Sequence, residues 1–275
     1  MTRLEDFIKP PLAVVCYDAG AANLIVEWLK DYTGDLRVCM EGPAKIIWEK
    51  HFSDDKLISI NRVIKDSKTL LSGTGWGDLE HSARIQAKKR SIKNIAVIDH
   101  WANYRERFIR DGNEELPDVI IVSDNYAYRL AKDFPPSVLV VELSNNYLKV
   151  EAQLASSERL RKCRAPIENI LIIAEPLRKK KKGKDTYLEF EAIEFLMINL
   201  NKINISSRSV NILLRLHPSE PLVKYDNILK KYKDSVSKFH LSKNTHLYQD
   251  IAWADLVVGM NSFALVVALT ANVPT

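Results

Sequence analysis

The sequence predicts an α/β protein of two doubly wound domains, each built on a parallel sheet. Short apolar runs alternate with amphipathic helical segments along almost the whole chain. The runs are continuously apolar, as in residues 12–17, which is typical of strands that are covered on both faces. The alternation restarts late in the chain, and 275 residues are enough for two domains of ordinary size. We therefore assign residues 1–165 to a first domain and residues 166–275 to a second.

In the first domain, each apolar run predicts a strand and each amphipathic segment predicts a helix. Strands are predicted over residues 12–17, 36–40, 57–60, 69–71, 94–98, 118–122 and 138–143. Helices are predicted from the Asp18–Asn23 segment to residue 32, and over residues 44–52, 79–90, 126–134 and 148–162. This order favours a Rossmann-like topology, because crossovers between parallel strands are right-handed.

The second domain repeats the pattern. Strands are predicted over residues 169–174, 210–216, 237–241 and 256–258, and helices over residues 187–203, 225–233, 246–254 and 263–272. Val273, Pro274 and Thr275 resemble the start of a further strand. A parallel sheet that ends there lacks an edge strand, which favours either a fragment or an unusually short second domain.

Composition narrows the class of protein. The chain is 46% hydrophobic and 27% charged, which is typical of a soluble globular protein. No stretch approaches the roughly 18–20 apolar residues that span a bilayer, and the first eleven residues contain no apolar signal core. The three cysteines are scattered, and Cys16 and Cys39 fall within apolar runs, which indicates buried thiols in a reducing compartment. We expect a cytoplasmic protein without a metal site.

A basic run from Arg178 to Lys184 contains six cations in seven residues. The simpler interpretation is a solvated linker. The alternative is a contact with the anionic inner face of a membrane, where each cation contributes on the order of 1 kcal/mol. Nucleic-acid binding is disfavoured, because no aromatic residues interleave the run.

Candidate ligand-binding residues follow the strands, because ligands of doubly wound sheets bind at the carboxyl ends of strands. In the second domain, one group of these candidate residues follows the predicted strand at 210–216. Another group lies at the start of the helix that follows the predicted strand at 256–258. A helix N-terminus favours a phosphate, and Ser262 adds a hydroxyl donor. The alternative is that Ser262 is only an N-cap and His217 only a polar strand end. The predicted phosphate-binding residues are Arg215, His217, Pro218, Ser219, Asn261 and Ser262.

These two motifs resemble the nucleotide-binding half of GT-B glycosyltransferases. The similarity is to bacterial enzymes with a His-Pro motif and a downstream Ser motif, such as sialyltransferases, polysialyltransferases and capsule or teichoic-acid polymerases. In those families the two motifs contact the nucleotide and its phosphate, so the resemblance implies these contacts for His217, Pro218 and Ser262. It covers chiefly residues 166–275, and it implies catalysis without a metal or cofactor.

The first domain would then hold the acceptor and a catalytic base, which transfer with inversion requires. Asp18 follows the first strand, and Gly20 permits a close backbone approach. Asp18 resembles part of the acidic-acidic-glycine motif of the sialyltransferases, although Ala19 replaces the second acidic residue. Asp99 and His100, which follow a buried strand, form the competing candidate base. Both aspartates could instead cap a helix or a turn.

A glycine-rich segment precedes the helix at 79–90. It could wrap an anion or let a sugar approach the backbone, or it could be an ordinary tight turn. It lacks the Lys-Ser/Thr pair of a P-loop and the spacing of a dinucleotide fingerprint, so ATP and NAD are disfavoured. Its residues are Gly73, Thr74, Gly75, Trp76 and Gly77.

Three functions fit these predictions. The first is a glycosyltransferase of surface-polysaccharide synthesis, which moves a sugar from a nucleotide sugar to a glycan or lipid-linked acceptor. The second is a nucleotide-sugar 2-epimerase, which shares the architecture, although no acid–base set in the sequence clearly matches that family. The third is a non-catalytic binding module, which an abrupt C-terminus favours.

Overall fold

A computed structural model describes residues 2–52, 57–159, 167–176, 178–181, 184–203 and 210–275, with only the backbone described at 178–181 and 184–187. The chain divides into two compact units, Met1–Tyr147 and Leu148–Thr275. This division falls earlier than the boundary predicted after residue 165. Cys16 and Cys39 are buried free thiols, as predicted, and Cys163 lies outside the described residues.

The first unit contains a six-stranded parallel sheet. Its strands in chain order are β1 (Leu12–Cys16), β2 (Leu36–Met40), β3 (Thr69–Ser72), β4 (Lys93–Ile98), β7 (Val119–Val122) and β8 (Leu139–Glu142), and a separate small hairpin is formed by β5 (Ile109–Arg110) and β6 (Asn113–Glu114). The strand order in the sheet is β2-β1-β3-β4-β7-β8. All five neighbouring pairs are parallel, as the continuous apolar runs predict.

The helices of the first unit are α1 (Ala19–Leu29), α2 (Gly42–Glu49), α3 (Ile60–Ile64), α4 (Asp78–Lys89) and α5 (Asn125–Leu130). The strand predicted over residues 57–60 is wrong. Only Leu57 pairs with the sheet, through an isolated parallel bridge to Val38, and α3 begins at Ile60. The three apolar side chains of this segment pack against the sheet from irregular backbone and the start of α3, and so short an apolar run does not distinguish that arrangement from a strand.

Both faces of this sheet are buried. Along β1 the side chains of Leu12, Val14 and Cys16 belong to one hydrophobic cluster, and those of Ala13 and Val15 belong to another. Successive side chains of a strand point to opposite faces, so every position of β1 must be apolar. Polar groups that face solvent are therefore confined to the ends of the strands.

The second unit contains a four-stranded parallel sheet with the order β13-β12-β9-β14. Its strands are β9 (Asn169–Ile173), β12 (Asn211–Arg215), β13 (Lys238–Leu241) and β14 (Leu256–Val258). Its helices are α6 (Asn146–Glu158), α7 (Leu188–Asn199), α8 (Asp226–Tyr232), α9 (Leu247–Trp253) and α10 (Phe263–Thr270). Beyond α10, the carbonyl of Pro274 accepts a hydrogen bond from the Val257 amide of β14, at 2.8 Å.

Packing explains why the division lies near the start of α6. Ala152 and Ala155 of this helix are buried in a cluster with Leu171 of β9 and Val257 of β14. The sequence places α6 directly after β8, which favoured the first domain. The small side chains of α6 instead cover one face of the second sheet.

The basic run does not form the predicted linker in the described backbone. Arg178–Lys181 and Lys184–Tyr187 form the strands β10 and β11 of an antiparallel hairpin. Among the described residues, no helix has the length and apolar character required to cross a membrane.

The two parallel sheets with their flanking helices establish two Rossmann-like units, as the sequence predicts.

A buried ion pair joins β12 to α9. Asp250 is fully buried, and its carboxylate accepts a hydrogen bond from the Arg215 guanidinium at 2.6 Å. The same carboxylate accepts hydrogen bonds from the Ser242 hydroxyl and the Asn244 amide. Asp250 therefore organises the loop that follows β13 as well as the end of β12.

We predict that Asp250→Ala lowers the free energy of unfolding by about 3–5 kcal/mol, because it leaves a partly buried guanidinium without its counter-ion. The hydroxyl of Ser242 and the amide of Asn244 lose their acceptor as well. The control is Asp234→Ala at an exposed position, which should change stability by less than about 0.5 kcal/mol. Urea unfolding measures both variants, and equal losses would contradict the structural importance of the pair.

Candidate functional site

Each sheet has one point where the strand order reverses. In the first unit it lies between β1 and β3, and in the second between β9 and β14. Loops on the two sides of such a point run in opposite directions, which opens a crevice at the carboxyl ends of the strands. The predicted site residues follow these strands or their direct neighbours, β4 and β12.

In the first unit, Asp18 lies in the turn between β1 and α1. A buried carboxyl of α4 holds this turn. Glu80, whose side chain is fully enclosed, accepts a hydrogen bond from the backbone N–H of Tyr17 at 2.8 Å, from Oε1. This bond crosses the reversal point, because Tyr17 follows β1 and Glu80 follows β3.

Gly75 lies directly against these two carboxyls. A Cβ atom at residue 75 would lie 2.8 Å from Oδ2 of Asp18 and 3.0 Å from Oε1 of Glu80. At residue 73 it would lie 2.9 Å from the Cys16 sulfur and 3.2 Å from Oε1 of Glu80. Both glycines are therefore required by close packing of the loop onto carboxyl groups, which the sequence pattern alone does not distinguish from a tight turn.

Asp99 follows β4 and approaches α1 at Gly20. A Cβ atom at residue 20 would overlap the carboxylate of Asp99, whose Cγ would lie at 2.8 Å. Oδ1 of Asp99 lies 3.6 Å from a guanidinium nitrogen of Arg107, which is almost fully buried. The structure thus brings Asp18, Asp99 and Gly20 to the same crevice.

Three arginines surround the glycine-rich loop and bind its backbone carbonyls. Arg84 donates to the Gly73 carbonyl at 3.1 Å, Arg107 to that of Thr74 at 3.3 Å, and Arg110 to that of Gly75 at 2.9 Å. The side chain of Thr74 is buried and donates to the Val97 carbonyl at 2.9 Å. The loop is therefore held rigidly by side chains distant in sequence.

The remaining predicted residues of this unit lie at the periphery of the loop. Trp76 is half exposed, and its ring centre lies 5.7 Å from the Arg107 guanidinium carbon. A Cβ at Gly77 would meet nothing within 4 Å. The rings of His100 and Trp101 lie 5.7 Å apart in a tilted arrangement.

Burial and neighbouring carboxyl groups shift the pKa values of two groups in the crevice. Burial raises the pKa of Glu80 above its ordinary value, and the charge of Asp18 raises it further, although the Tyr17 N–H lowers it. Burial also raises the pKa of the Cys16 thiol, helped by the charges of Glu80 and Asp99. Among the described residues, no group of three or more acidic, histidine or cysteine side chains is arranged to hold a metal ion.

In the second unit, His217 and Ser219 form a local turn after β12. Nδ1 of His217 lies 2.7 Å from the Ser219 hydroxyl and 3.2 Å from its backbone nitrogen. The turn ends at Glu220, whose carboxylate pairs with Lys224. Lys224 also pairs with Glu189 of α7, at 2.5 Å, so a buried ion triad anchors the His-Pro turn. Pro218, between the two turn residues, is exposed.

Arg215 lies beside this turn, but its guanidinium is engaged elsewhere. Besides the ion pair with Asp250, it donates to the carbonyls of Asn244, Thr245 and His246, at 3.1, 3.4 and 3.4 Å. Its charge is thus neutralised within the fold. The predicted contact of Arg215 with a phosphate remains a prediction, and its observed contacts stabilise the loop at 244–246.

Ser262 is the N-cap of α10, and its hydroxyl accepts a hydrogen bond from the Ala264 N–H at 3.2 Å. The backbone before it is already bound by a carboxylate. Glu175, which follows β9, accepts from the N–H groups of Met260 and Asn261 at 3.1 and 2.8 Å. An anion at this helix end must therefore share the backbone donors with Glu175 or replace it.

His217 and Ser262 follow strands that flank β9 on its two sides. Two strand spacings separate the backbones at these positions by about 10 Å.

The sequence analysis missed Glu80, Arg84, Arg107 and Glu175. Glu80 falls in the first turn of a helix, where an acidic residue is ordinary, so nothing distinguished it. Glu175 directly follows β9, and the rule of strand ends could have found it. Arg84 reaches the site from a helix interior and Arg107 from a short 3-10 helix, and no sequence pattern marks such residues.

No family model matches the sequence, and no curated protein matches it at a significant level. Solved structures do match. The UDP-GlcNAc 2-epimerase from Neisseria meningitidis, bound to UDP-GlcNAc, has a TM-score of 0.57 and 11% identity, over 92% of this chain and 78% of that chain. The wall teichoic acid polymerase TagF has a TM-score of 0.53 and 13% identity, over 97% of this chain and 70% of that chain. The likeness establishes the fold: two Rossmann-like units of the kind found in GT-B enzymes.

We predict that Gly20→Ala destabilises the protein by about 1–3 kcal/mol, because the added methyl group displaces the carboxylate of Asp99. The matched control is Gly77→Ala, where the methyl group meets open space, and it should change stability by less than about 0.5 kcal/mol. Most of the Gly20→Ala loss should disappear in an Asp99→Ala background. Urea unfolding of the four-member cycle measures this, and a loss that is unchanged by Asp99→Ala would refute the contact.

Proposed function

We propose that this chain is a glycosyltransferase that moves a sugar from a nucleotide sugar to a glycan or lipid-linked acceptor of surface-polysaccharide synthesis. The observation that carries the proposal is that each unit has a crevice and that the two crevices differ in their residues. The first unit has carboxylates at its reversal point, and the second has a His-Pro turn and a serine-capped helix along one sheet edge. The fold shared with TagF is compatible with this function.

In this proposal the second unit binds the nucleotide and its phosphate or diphosphate. His217 and Ser262 contact the phosphates, with Pro218, Ser219 and Asn261 shaping the two loops. The leaving nucleotide gains negative charge on its phosphate as the sugar departs, and the side chain of His217 and the helix N-terminus at Ser262 stabilise that charge. No metal or cofactor enters the proposed reaction.

The first unit supplies the base. Asp18 takes the proton of the acceptor hydroxyl as the acceptor oxygen bonds to the anomeric carbon, and the bond from that carbon to the phosphate oxygen breaks with its electron pair. Asp99 and His100 remain the competing candidates, and Asp99 is held by Arg107 at 3.6 Å. The glycine-rich loop, with Gly73, Gly75 and the exposed Trp76, provides a surface on which an acceptor sugar can lie.

The second candidate function is a nucleotide-sugar 2-epimerase. One observation favours it, since Glu80, which the sequence analysis missed, lies in the same crevice as the predicted Asp18 and Asp99, and the three supply a set of acid–base groups. The products separate the two functions. A transferase releases the nucleotide and extends an acceptor, whereas an epimerase returns an isomerised nucleotide sugar.

We propose, further, that the basic hairpin of residues 178–181 and 184–187 contacts an anionic membrane face, which would bring the enzyme to a lipid-linked acceptor. Binding to vesicles of anionic lipid, in comparison with neutral lipid, tests this contact. Equal binding to the two vesicle types would remove it.

We predict that CMP, CDP, UDP or GDP raises the melting temperature by several degrees, because a ligand that binds only the folded protein stabilises it by mass action. The nucleotide that gives the largest shift narrows the donor class. His217→Ala should abolish the shift, whereas Asp99→Ala should leave it unchanged.

His240→Ala is the matched control for the histidine variant. It removes an imidazole at an exposed position of β13, and the nucleotide shift should persist. Equal shifts in wild type and His217→Ala, or no shift with any of the four nucleotides, would overturn the proposed nucleotide site.

A further inference from the structure

Glu80 is a buried carboxyl that the proposed reaction does not use directly. Its side chain is fully enclosed at the carboxyl edge of the first sheet. Oε1 accepts the Tyr17 N–H at 2.8 Å. Oε2 is also buried, and within the described part of the chain it has no hydrogen-bond partner. A buried carboxylate normally has both oxygens satisfied, so this arrangement requires an explanation.

Asp18 lies beside it. The two carboxyl groups approach the same point, since Oδ2 of Asp18 and Oε1 of Glu80 both lie within 3.0 Å of the position that a Cβ of residue 75 would take. Glycine at 75 is what permits this approach. Glu80 also holds the backbone of Tyr17, so it fixes the turn on which Asp18 is carried.

We propose that Glu80 is a positioning residue for Asp18, and that the two form a carboxyl pair in which Glu80 determines which member is ionised. The catalytic role of this pair rests on the proposed function, because in that function Asp18 is the base. The pair itself is a property of the first unit alone.

The physical reason is that two neighbouring carboxyls in a desolvated crevice do not both ionise easily. Burial raises the pKa of Glu80, which is the largest effect, and the charge of Asp18 raises it further. Hydrogen bonds from the backbone of Tyr17 and of Glu80 itself lower it, as does the charge of Arg84. Glu80 therefore keeps its proton to higher pH than an ordinary glutamic acid. The unpartnered Oε2 fits a protonated oxygen better than a charged one, because a neutral group costs less to bury.

The guanidinium and the two thiols that interact with Glu80 do not change charge near neutral pH. Burial lowers the pKa of Arg84 to about 10, so it stays cationic. Burial raises the pKa of the Cys39 thiol to about 11 and that of Cys16 well above its ordinary value, and both stay neutral. Asp99 faces the Cys16 thiol from β4 and adds a negative charge to the same crevice.

In the proposed transfer this arrangement makes Asp18 the member of the pair that accepts a proton. The acceptor O–H bond breaks and its proton passes to Asp18, while Glu80 retains its own proton and its bond to Tyr17. If both carboxyls were ionised, they would repel each other and displace the turn that carries Asp18. A pair with both protonated would offer no base.

The pair is tested by carboxyl carbon NMR titration of the full-length chain between pH 4 and pH 8, with the Glu80 signal assigned from Glu80→Gln. We expect Glu80 to titrate above its ordinary value of 4.5. Asp18→Asn should lower the Glu80 midpoint, because it removes the neighbouring negative charge. A midpoint near 4.5 that Asp18→Asn does not change would overturn the proposal.

Asp78→Asn is the matched control. Asp78 lies in the same turn of α4 as Glu80, its side chain is 93% exposed, and the substitution removes the same charge. The Glu80 midpoint should remain as in wild type. An equal decrease for Asp78→Asn and Asp18→Asn would show a general field effect and would overturn the specific pair.

A second measurement does not depend on signal assignment. In Glu80→Gln the amide oxygen can still accept the Tyr17 N–H, but the titrating proton is removed. The folded wild type binds this proton more tightly than the unfolded chain, so its free energy of unfolding falls as pH rises above 4.5. Glu80→Gln should lose that decrease, and an unchanged pH dependence of stability in Glu80→Gln would contradict the pair.

These outcomes are separate from those of the nucleotide experiment. Absence of any nucleotide shift would overturn the proposed function and leave the carboxyl titration as predicted. Conversely, a nucleotide shift together with an ordinary titration of Glu80 would preserve the function and overturn the role of Glu80.

Discussion

The burial of both faces of each parallel sheet is the constraint on which this structure depends. In β1, the side chains on one face of the sheet belong to one hydrophobic cluster and those on the other face to a second cluster. The side chains of β9 are likewise divided between two clusters. A polar side chain in the middle of such a strand would be buried without solvent on either face. Polar chemistry is therefore confined to the carboxyl and amino ends of the strands, and the loops there become the binding surfaces.

The two units use this edge in a related way. In each, a carboxylate accepts backbone N–H groups across the point where the strand order reverses. Glu80 binds the Tyr17 N–H in the first unit, and Glu175 binds those of Met260 and Asn261 in the second. These bonds hold together loops that the topology would otherwise separate, and they place a carboxyl group in both crevices. For the first unit a carboxyl group suits acid–base chemistry. In the second, it means that any phosphate at the start of α10 has a carboxylate as its neighbour.

Most strands and helices could be predicted from the sequence, because their apolar periodicity reflects the burial that stabilises them. The exceptions have local causes. Three of the four residues 57–60 are apolar, but they pack from irregular backbone and the start of α3. Helix α6 follows the first sheet in sequence and covers the second, because its small side chains, Ala152 and Ala155, fit there. Such choices depend on which surface is available, and sequence order does not contain that information.

For the site, the sequence by itself determined which loops follow strands. It therefore assigned Asp18, Asp99 and the glycine-rich loop to the carboxyl edge of the first sheet. It assigned the His-Pro and Ser262 motifs to the carboxyl edge of the second. Only the tertiary structure decided what these residues contact. It showed that Arg215 is engaged by Asp250, that Gly20 lies against Asp99, and that Glu80 lies beside Asp18. The reason is that periodicity records burial, which is a property of one segment, whereas ion pairs and close approaches depend on two segments that the chain brings together only when it folds.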